Sequence, residues 1–256
     1  MMKSLSRGLR VLQCFTPDAP HRRLKDIADQ LEVPMGSAFR TLGTLEALGF
    51  VRQDPTSKTY RLGVRVLDLG QACLAGLVFP DVALPFLEAL ASETQRSANM
   101  AVLEQGEIVF VARASVMRLM NVNLSVGSRL PAHCTSMGKV LLADLDDAEL
   151  ERILDVAPLR RYTPQTITDA DALKRAIEAV RARGYAVSHE ELEPRLTTFA
   201  APVRDATGRA VAAINVALFT GPGDTTDHHQ VELPKLLHTA QVVSSALGYR
   251  RGRPLG

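Results

Sequence analysis

The residues best placed to do chemistry fall in two short stretches. In the first, Met35, Gly36, Ser37, Phe39, Arg40, Thr41 and Thr44 occupy the side of a helix that its apolar positions leave free. That mixture of hydroxyls, a guanidinium and apolar groups can touch base edges and phosphates together. In the second, Thr135, Ser136, Met137 and Gly138 open a helix, where the first backbone N–H groups lack intrahelical partners and the dipole adds partial positive charge. The first stretch suits a nucleic acid and the second suits a carboxylate. Each also has a plainer reading: a polar helix face can serve solubility alone, and Ser136 can be a helix cap and nothing more.

Other reactive side chains carry less. His133 and Cys134 precede Ser136 without the spacing of a catalytic triad, and no G-x-S-x-G elbow, phosphate loop or H-E-x-x-H motif occurs. An enzyme is therefore the weaker reading. His228 and His229 with Asp224 or Asp227 have metal-ligand types, yet adjacent imidazoles rarely face one ion, so neither metal nor cofactor is expected. Cys14, Cys73 and Cys134 are odd in number and far apart, which argues for reduced, buried thiols.

Two helices and a tight corner position the first stretch. Leu24, Ile27, Ala28 and Leu31 form one stripe, Ala38, Leu42 and Leu45 another, and Val33-Pro34 marks the corner between them. A helix over residues 4–15 precedes this pair, with Leu5, Leu9 and Leu12 on one face. Short strands over 50–53 and 58–62 follow, joined by Asp54-Pro55-Thr56-Ser57. This is a winged helix-turn-helix. Arg52, Lys58 and Arg61 on the wing would meet phosphates, and Arg7, Arg22 and Lys25 add candidate contacts. Arg40 is the strongest single candidate, whereas Phe39 reads equally as a thymine-methyl contact or a partly buried core residue. Charge agrees, since residues 1–65 carry a balance of +5 and the remainder −3.

The rest of the chain reads as a linker and a second domain. The 256 residues, 46% hydrophobic and 23% charged, suffice for two modest domains of α+β class. The winged helix-turn-helix takes residues 1–65. An apolar linker helix over 66–80, with Val66, Leu69, Cys73 and Leu77 near one stripe, makes a rigid strut, and 81–250 form the second domain before a loose tail at 251–256. In that domain the period predicts helices over 81–96, 136–143, 146–155, 169–183 and 227–248. Strands are predicted over 100–103, 108–114, 120–124, 185–192, 197–204 and 210–219. Thr168 and Asp171 have capping-box spacing, and Gly184 stops the helix they open. No apolar run approaches a membrane span and MMKSLSRGLR lacks a signal-peptide core, so a cytoplasmic protein without a membrane partner is expected.

Several blocks together resemble the IclR family of bacterial transcription regulators over essentially the whole chain. They are RGLRVLQCF, LKDIADQLEVPMGSAFRTLGTLEALGFV, TYRLG, RLPAHCTSMGKVLLA, EELEP and APVRDATGRAVAAINVALFTGP. The block GSRLPAHCTSMGKVLLA is similar to the branch that controls aromatic-acid catabolism through protocatechuate and 4-hydroxybenzoate. The resemblance implies a winged helix-turn-helix, a linker helix and a C-terminal mixed α/β effector-binding domain related to the GAF fold. It further implies a dimer through the N-terminal part, commonly doubled to a tetramer, with double-stranded operator DNA and a small carboxylate effector as partners. By the same resemblance the amides of Ser136 and Met137 hold the effector's acid group, and Ser188, Thr198, Asn215 and Ala217 line its cavity. His133, Met100 and Val122 are candidates for the wall against an aromatic ring, and Arg113, Arg118 and Arg129 for a second anionic group. Two positions depart from the family pattern. Met35, Gly36 and Ser37 stand where Lys-Ser-Thr is frequent, and Arg195 stands where glycine commonly follows EELEP. A winged-helix regulator without a ligand is the alternative that the residues leave open.

Overall fold

Apolar periodicity builds a small three-helix core at the N-terminus. In the computed structural model, which describes residues 2–115, 124–219 and 228–250, helices α1 (Lys3–Gln13), α2 (Leu24–Leu31) and α3 (Met35–Ala47) enclose Val11, Ile27, Leu31 and Leu42. The corner is made one residue earlier than the proline alone suggests. Glu32 takes a left-handed conformation, φ 55°, and Val33 N–H returns to Ala28 O at 3.0 Å before Pro34 caps α3. Strands β1 (Val51–Gln53) and β2 (Tyr60–Leu62) form the wing, with Arg52 opposite Arg61. Its turn is closed by Asp54 Oδ1, which accepts from the N–H groups of Thr56 and Ser57 at 2.9 and 2.7 Å. Those bonds hold the Asp54 carboxyl below its ordinary pKa.

The expected strut is two helices. Helix α4 (Val66–Ala75) ends at Gly76, whose N–H bonds to Ala72 O and Cys73 O, and α5 (Val78–Thr94) starts afresh. The chain divides here into two compact units, Met1–Leu77 and Val78–Gly256, so α4 belongs to the first. It buries none of its own residues there.

Among the described residues the second unit forms a six-stranded antiparallel sheet in the order β5-β4-β3-β8-β7-β6. The strands are β3 (Ser97–Glu104), β4 (Glu107–Ala114), β5 (Arg129–Pro131), β6 (Ala186–His189), β7 (Leu196–Arg204) and β8 (Ala210–Phe219). Helices α5 and α9 (His228–Ala246) pack on one face. On the other, α6 (Ser136–Ala143) and α8 (Ala170–Arg183) close a core around Ala101, Phe110, Met137, Leu142, Leu173, Ile177 and Ala213. Helix α7 (Asp147–Val156) adds Leu150 to that core. Strict alternation decides which strand residues meet which helices. Asn99 pairs with Asn215 on the α6 side, and Met100 pairs with Ile214 on the α5 side.

Several local expectations shift. Strand β5 is new, and the strand expected over 120–124 lies outside the described residues save for Leu124. Helix α8 is capped by Asp169, which accepts from Ala172 N–H at 2.8 Å, while Thr168 Oγ1 accepts from Arg161 Nη2 at 3.0 Å. Gly184, φ 80°, ends that helix. Among the described residues no single helix is long and apolar enough to cross a membrane.

Candidate functional site

Helix α6 begins where the chain leaves β5, and one glycine permits the approach. A Cβ on Gly138 would lie 2.1 Å from Ala132 O and 2.3 Å from its Cα, so only glycine lets the Pro131-Ala132 segment rest on the helix's first turn. Thr135 caps that turn: its Oγ1 accepts from Gly138 N–H at 3.2 Å and its carbonyl accepts from Lys139 N–H at 3.0 Å. The N–H groups of Ser136 and Met137 then remain without an acceptor among the described residues. Two strands pin this start to the sheet. Ser136 Oγ and Thr198 Oγ1 are 2.7 Å apart, and Ser188 Oγ donates to Cys134 O at 3.2 Å.

A cavity of about 300 Å³ lies against this helix start and the α6 face of the sheet. Met137, Ser188, Thr198, Asn215 and Ala217 all line it. Ser136, also expected there, is not among the lining residues, because its hydroxyl turns to Thr198, which is. Arg113 also lines the cavity and donates from Nη1 to Leu124 O.

Three expected contacts fall elsewhere. Met100 is buried on the opposite face, since it follows Asn99 by one residue in a strand. His133 turns away to the segment after α7: its Nε2 lies 3.0 Å from Arg160 O and its ring 6.2 Å from that of Tyr162. Burial lowers its pKa below the ordinary imidazole value, against a smaller opposing effect of the Arg160 bond, so it is neutral at pH 7. Arg129 pairs with Glu107 at 3.0 Å at the surface. Val122 and Arg118 lie outside the described residues, as do Asp224, Asp227 and the side chains of His228 and His229.

The cavity also has walls that sequence reasoning missed, among them Asn99, Arg96, Phe110 and Phe219. The signal was present for Asn99, an amide set between Ala98 and Met100 in an otherwise apolar strand. Behind α6, Lys139 forms a buried ion pair with Glu191, whose carbonyl accepts from Thr166 Oγ1 at 2.6 Å. This ties the turn after β6, which carries the cavity residues Leu192 and Glu193, to the helix. In that turn Arg195 takes φ 66°, the left-handed geometry that explains why glycine is frequent there. Burial, reinforced by the Glu191 charge, pushes the Cys134 thiol up to about 12, which leaves no thiolate nucleophile beside the cavity.

In the first unit, α3 presents its free side to solvent. Phe39 is 57% exposed and Met35 52%, so neither belongs to that unit's core. Gly36 and Arg40 are exposed beside them. Thr41 and Thr44 donate their hydroxyls to Ser37 O and Arg40 O, at 2.9 and 3.1 Å. Ser37 Oγ accepts from Arg7 Nη1, so Arg7 braces the start of α3 from α1. Arg22 is committed inside the unit: its guanidinium donates to Cys14 O and Gln30 Oε1, and its backbone pairs with Tyr60. Lys25 on α2 and Arg52, Lys58 and Arg61 on the wing are exposed.

Known proteins match both units. Residues 4–55 match the IclR helix-turn-helix domain, and residues 71–245 match the bacterial transcriptional regulator IclR C-terminal domain. The chain is 41% identical to the Pca regulon regulatory protein of Pseudomonas putida over 92% of this chain and 81% of that one. A crystal structure from Rhodococcus sp. RHA1 superposes with a TM-score of 0.82 at 41% identity, covering 96% of this chain and 98% of the other. An IclR homologue from Microbacterium hydrocarbonoxydans, crystallised with 4-hydroxybenzoate, gives a TM-score of 0.81 at 27% identity over 96% and 99% of the two chains. A helix-turn-helix unit followed by a cavity-bearing mixed α/β unit, each matched in order along one polypeptide, makes this chain a member of the IclR family of bacterial transcriptional regulators, which are not enzymes.

Proposed function

We propose that the chain is a cytoplasmic regulator that binds operator DNA through α3 and the wing, and whose grip is set by a small aromatic carboxylate held at the start of α6. One observation carries the effector reading: among the described residues the adjacent backbone N–H groups of Ser136 and Met137 have no acceptor, and Met137, with Thr135 just before them, lines a cavity of about 300 Å³. Amides and the helix dipole together favour an anion at such a place. Phe110, Phe219 and Met137 make the walls apolar, which suits a ring. The relatives support the class, since one is named for the pca regulon and another was crystallised with 4-hydroxybenzoate.

On the DNA side, α3 enters the major groove with Arg40 and Phe39 toward base edges, and Arg52, Lys58 and Arg61 neutralise flanking phosphates. Dimerisation supplies the second half-site. Leu5 and Leu9 on α1 and Leu67 and Leu69 on α4 are exposed within the first unit, an apolar surface suited to a second copy of this chain. Half-sites would then lie roughly 34–36 Å apart, and two such dimers can associate to a tetramer. The effector changes DNA affinity by as much as it binds one dimer arrangement better than another.

Titration calorimetry of the full-length chain with benzoate, 4-hydroxybenzoate and protocatechuate, followed by gel shift on the DNA upstream of its own gene, tests this reading. At a hundredfold excess over Kd an effector should stabilise the fold by about 2.7 kcal/mol. A flat panel with intact DNA binding would leave a ligandless regulator. Absent DNA binding at low salt would remove the regulator's mode of action as drawn.

A further inference from the structure

The effector cavity has two polar ends, and the second is built from a pair of amides. Asn99 on β3 and Asn215 on β8 face each other in register, 4% and 6% exposed, with Asn99 Nδ2 donating to Asn215 Oδ1 at 2.8 Å. Both line the cavity. Asn99 Oδ1 accepts no hydrogen bond from any described residue. A buried amide oxygen left so is costly, and a strand position between Ala98 and Met100 would tolerate an apolar residue at no such cost. We propose that Asn99, together with Asn215, reads a ring hydroxyl on the effector, at the far end from the carboxylate.

The sheet sets the spacing. Ser136 and Ser188 fasten the start of α6 to Thr198 on β7 and to β6, whereas the amide pair sits on β8 and β3. Thr198 pairs with Ala217 and that with Ser97, so Asn99 lies two strands across and two residues along, roughly 12 Å away. A benzene ring with a carboxylate at one end and a hydroxyl opposite, plus a hydrogen bond at each, spans that gap. A hydroxyl both donates and accepts, and so do two amides joined by one hydrogen bond. Turned over together, the amides exchange acceptor for donor at their outer ends, so the pair meets a hydroxyl in either sense. Arg113, opposite Asn99 in register on β4, puts a cation beside the same end. An acid lacking the hydroxyl leaves this end unmet, which is how a buried polar site rejects an analogue.

This assignment rests on the carboxylate reading above, and the test separates the two. Titration calorimetry on the full-length chain measures Kd for benzoate, 3-hydroxybenzoate and 4-hydroxybenzoate in the natural protein and in Asn99→Leu, Asn99→Ser and Asn215→Leu. The natural protein should prefer 4-hydroxybenzoate to benzoate by at least about tenfold. Asn99→Leu and Asn215→Leu should bring that ratio to within about twofold of unity while benzoate affinity holds or improves, and Asn99→Ser should restore part of it. A merely structural role would weaken both acids alike and leave the ratio standing. If both acids bind the natural protein equally, or the ratio survives in all three variants, the assignment is wrong and the carboxylate site remains. If no acid binds the natural protein, both fall together. Should a leucine variant fail to fold, an unchanged ratio in Asn99→Ser overturns the assignment.

Discussion

Two helix starts in this chain set nearly the same residues in opposite surroundings. Helix α3 opens with Met35, Gly36 and Ser37, and α6 with Ser136, Met137 and Gly138. Met35 is 52% exposed, Met137 1%. A Cβ on Gly36 would meet nothing nearer than Arg40 Nη1 at 3.6 Å, whereas on Gly138 it would strike Ala132 backbone. Ser37 takes a hydrogen bond from an arginine, and Ser136 shares one with a buried threonine. Composition therefore does not decide what a helix start binds; what covers it does. An open start with cations nearby can be met by a polyanion from solvent. A covered one has room for a single small anion, and hydrogen bonds made there gain from the low dielectric.

Substitutions at the covered start should be the most damaging. Lys139→Met strands the buried Glu191 carboxylate and should cost about 3–5 kcal/mol in denaturant unfolding, whereas Lys139→Met with Glu191→Leu should recover most of it. A single variant as stable as the parent would show that the pair does not hold α6. Next in size, Gly138→Ala should cost about 1–3 kcal/mol and abolish the effector-induced rise in Tm. Gly36→Ala should leave stability level or up to about 1 kcal/mol higher. Equal effects at the two glycines would erase the contrast. Arg40→Ala should weaken operator binding roughly tenfold in gel shift and lower its salt dependence if phosphates are met, with effector affinity unchanged. The smallest effect concerns acid. Because His133 has a lowered pKa in the fold, the unfolded chain takes up that proton first, so stability should fall as pH drops below about 6.5 and be level above it. His133→Gln should flatten that slope in pH-dependent melting; an unchanged slope would assign it to other groups.

Much of this was readable in the chain and some of it was not, for physical reasons. Helices α1 to α3 and the wing rest on local periodicity and turn residues, so their order is legible from spacing. Asn99 needed the sheet: only when β3 lies between β4 and β8 does its amide find Asn215, 116 positions away. His133 was misjudged because its partner, Arg160 O, belongs to a segment with no periodic signature. Met100 was misjudged by a single step of alternation. The break at Gly76 hid inside a continuous apolar run, where periodicity cannot distinguish one helix from two. Asp169 caps α8 in place of Thr168, whose hydroxyl instead accepts from the guanidinium of Arg161, seven residues earlier.

The sheet of the second unit also has an order of lengths. Among the described residues its inner strands run eight to ten residues, and the outermost two, β5 and β6, only three and four. A stray extended segment arriving at either margin finds few rungs to add to, which discourages runaway fibre growth. Short margins of this kind disfavour one sheet templating the next, so copies of the polypeptide are better placed to meet through side chains than through added strands.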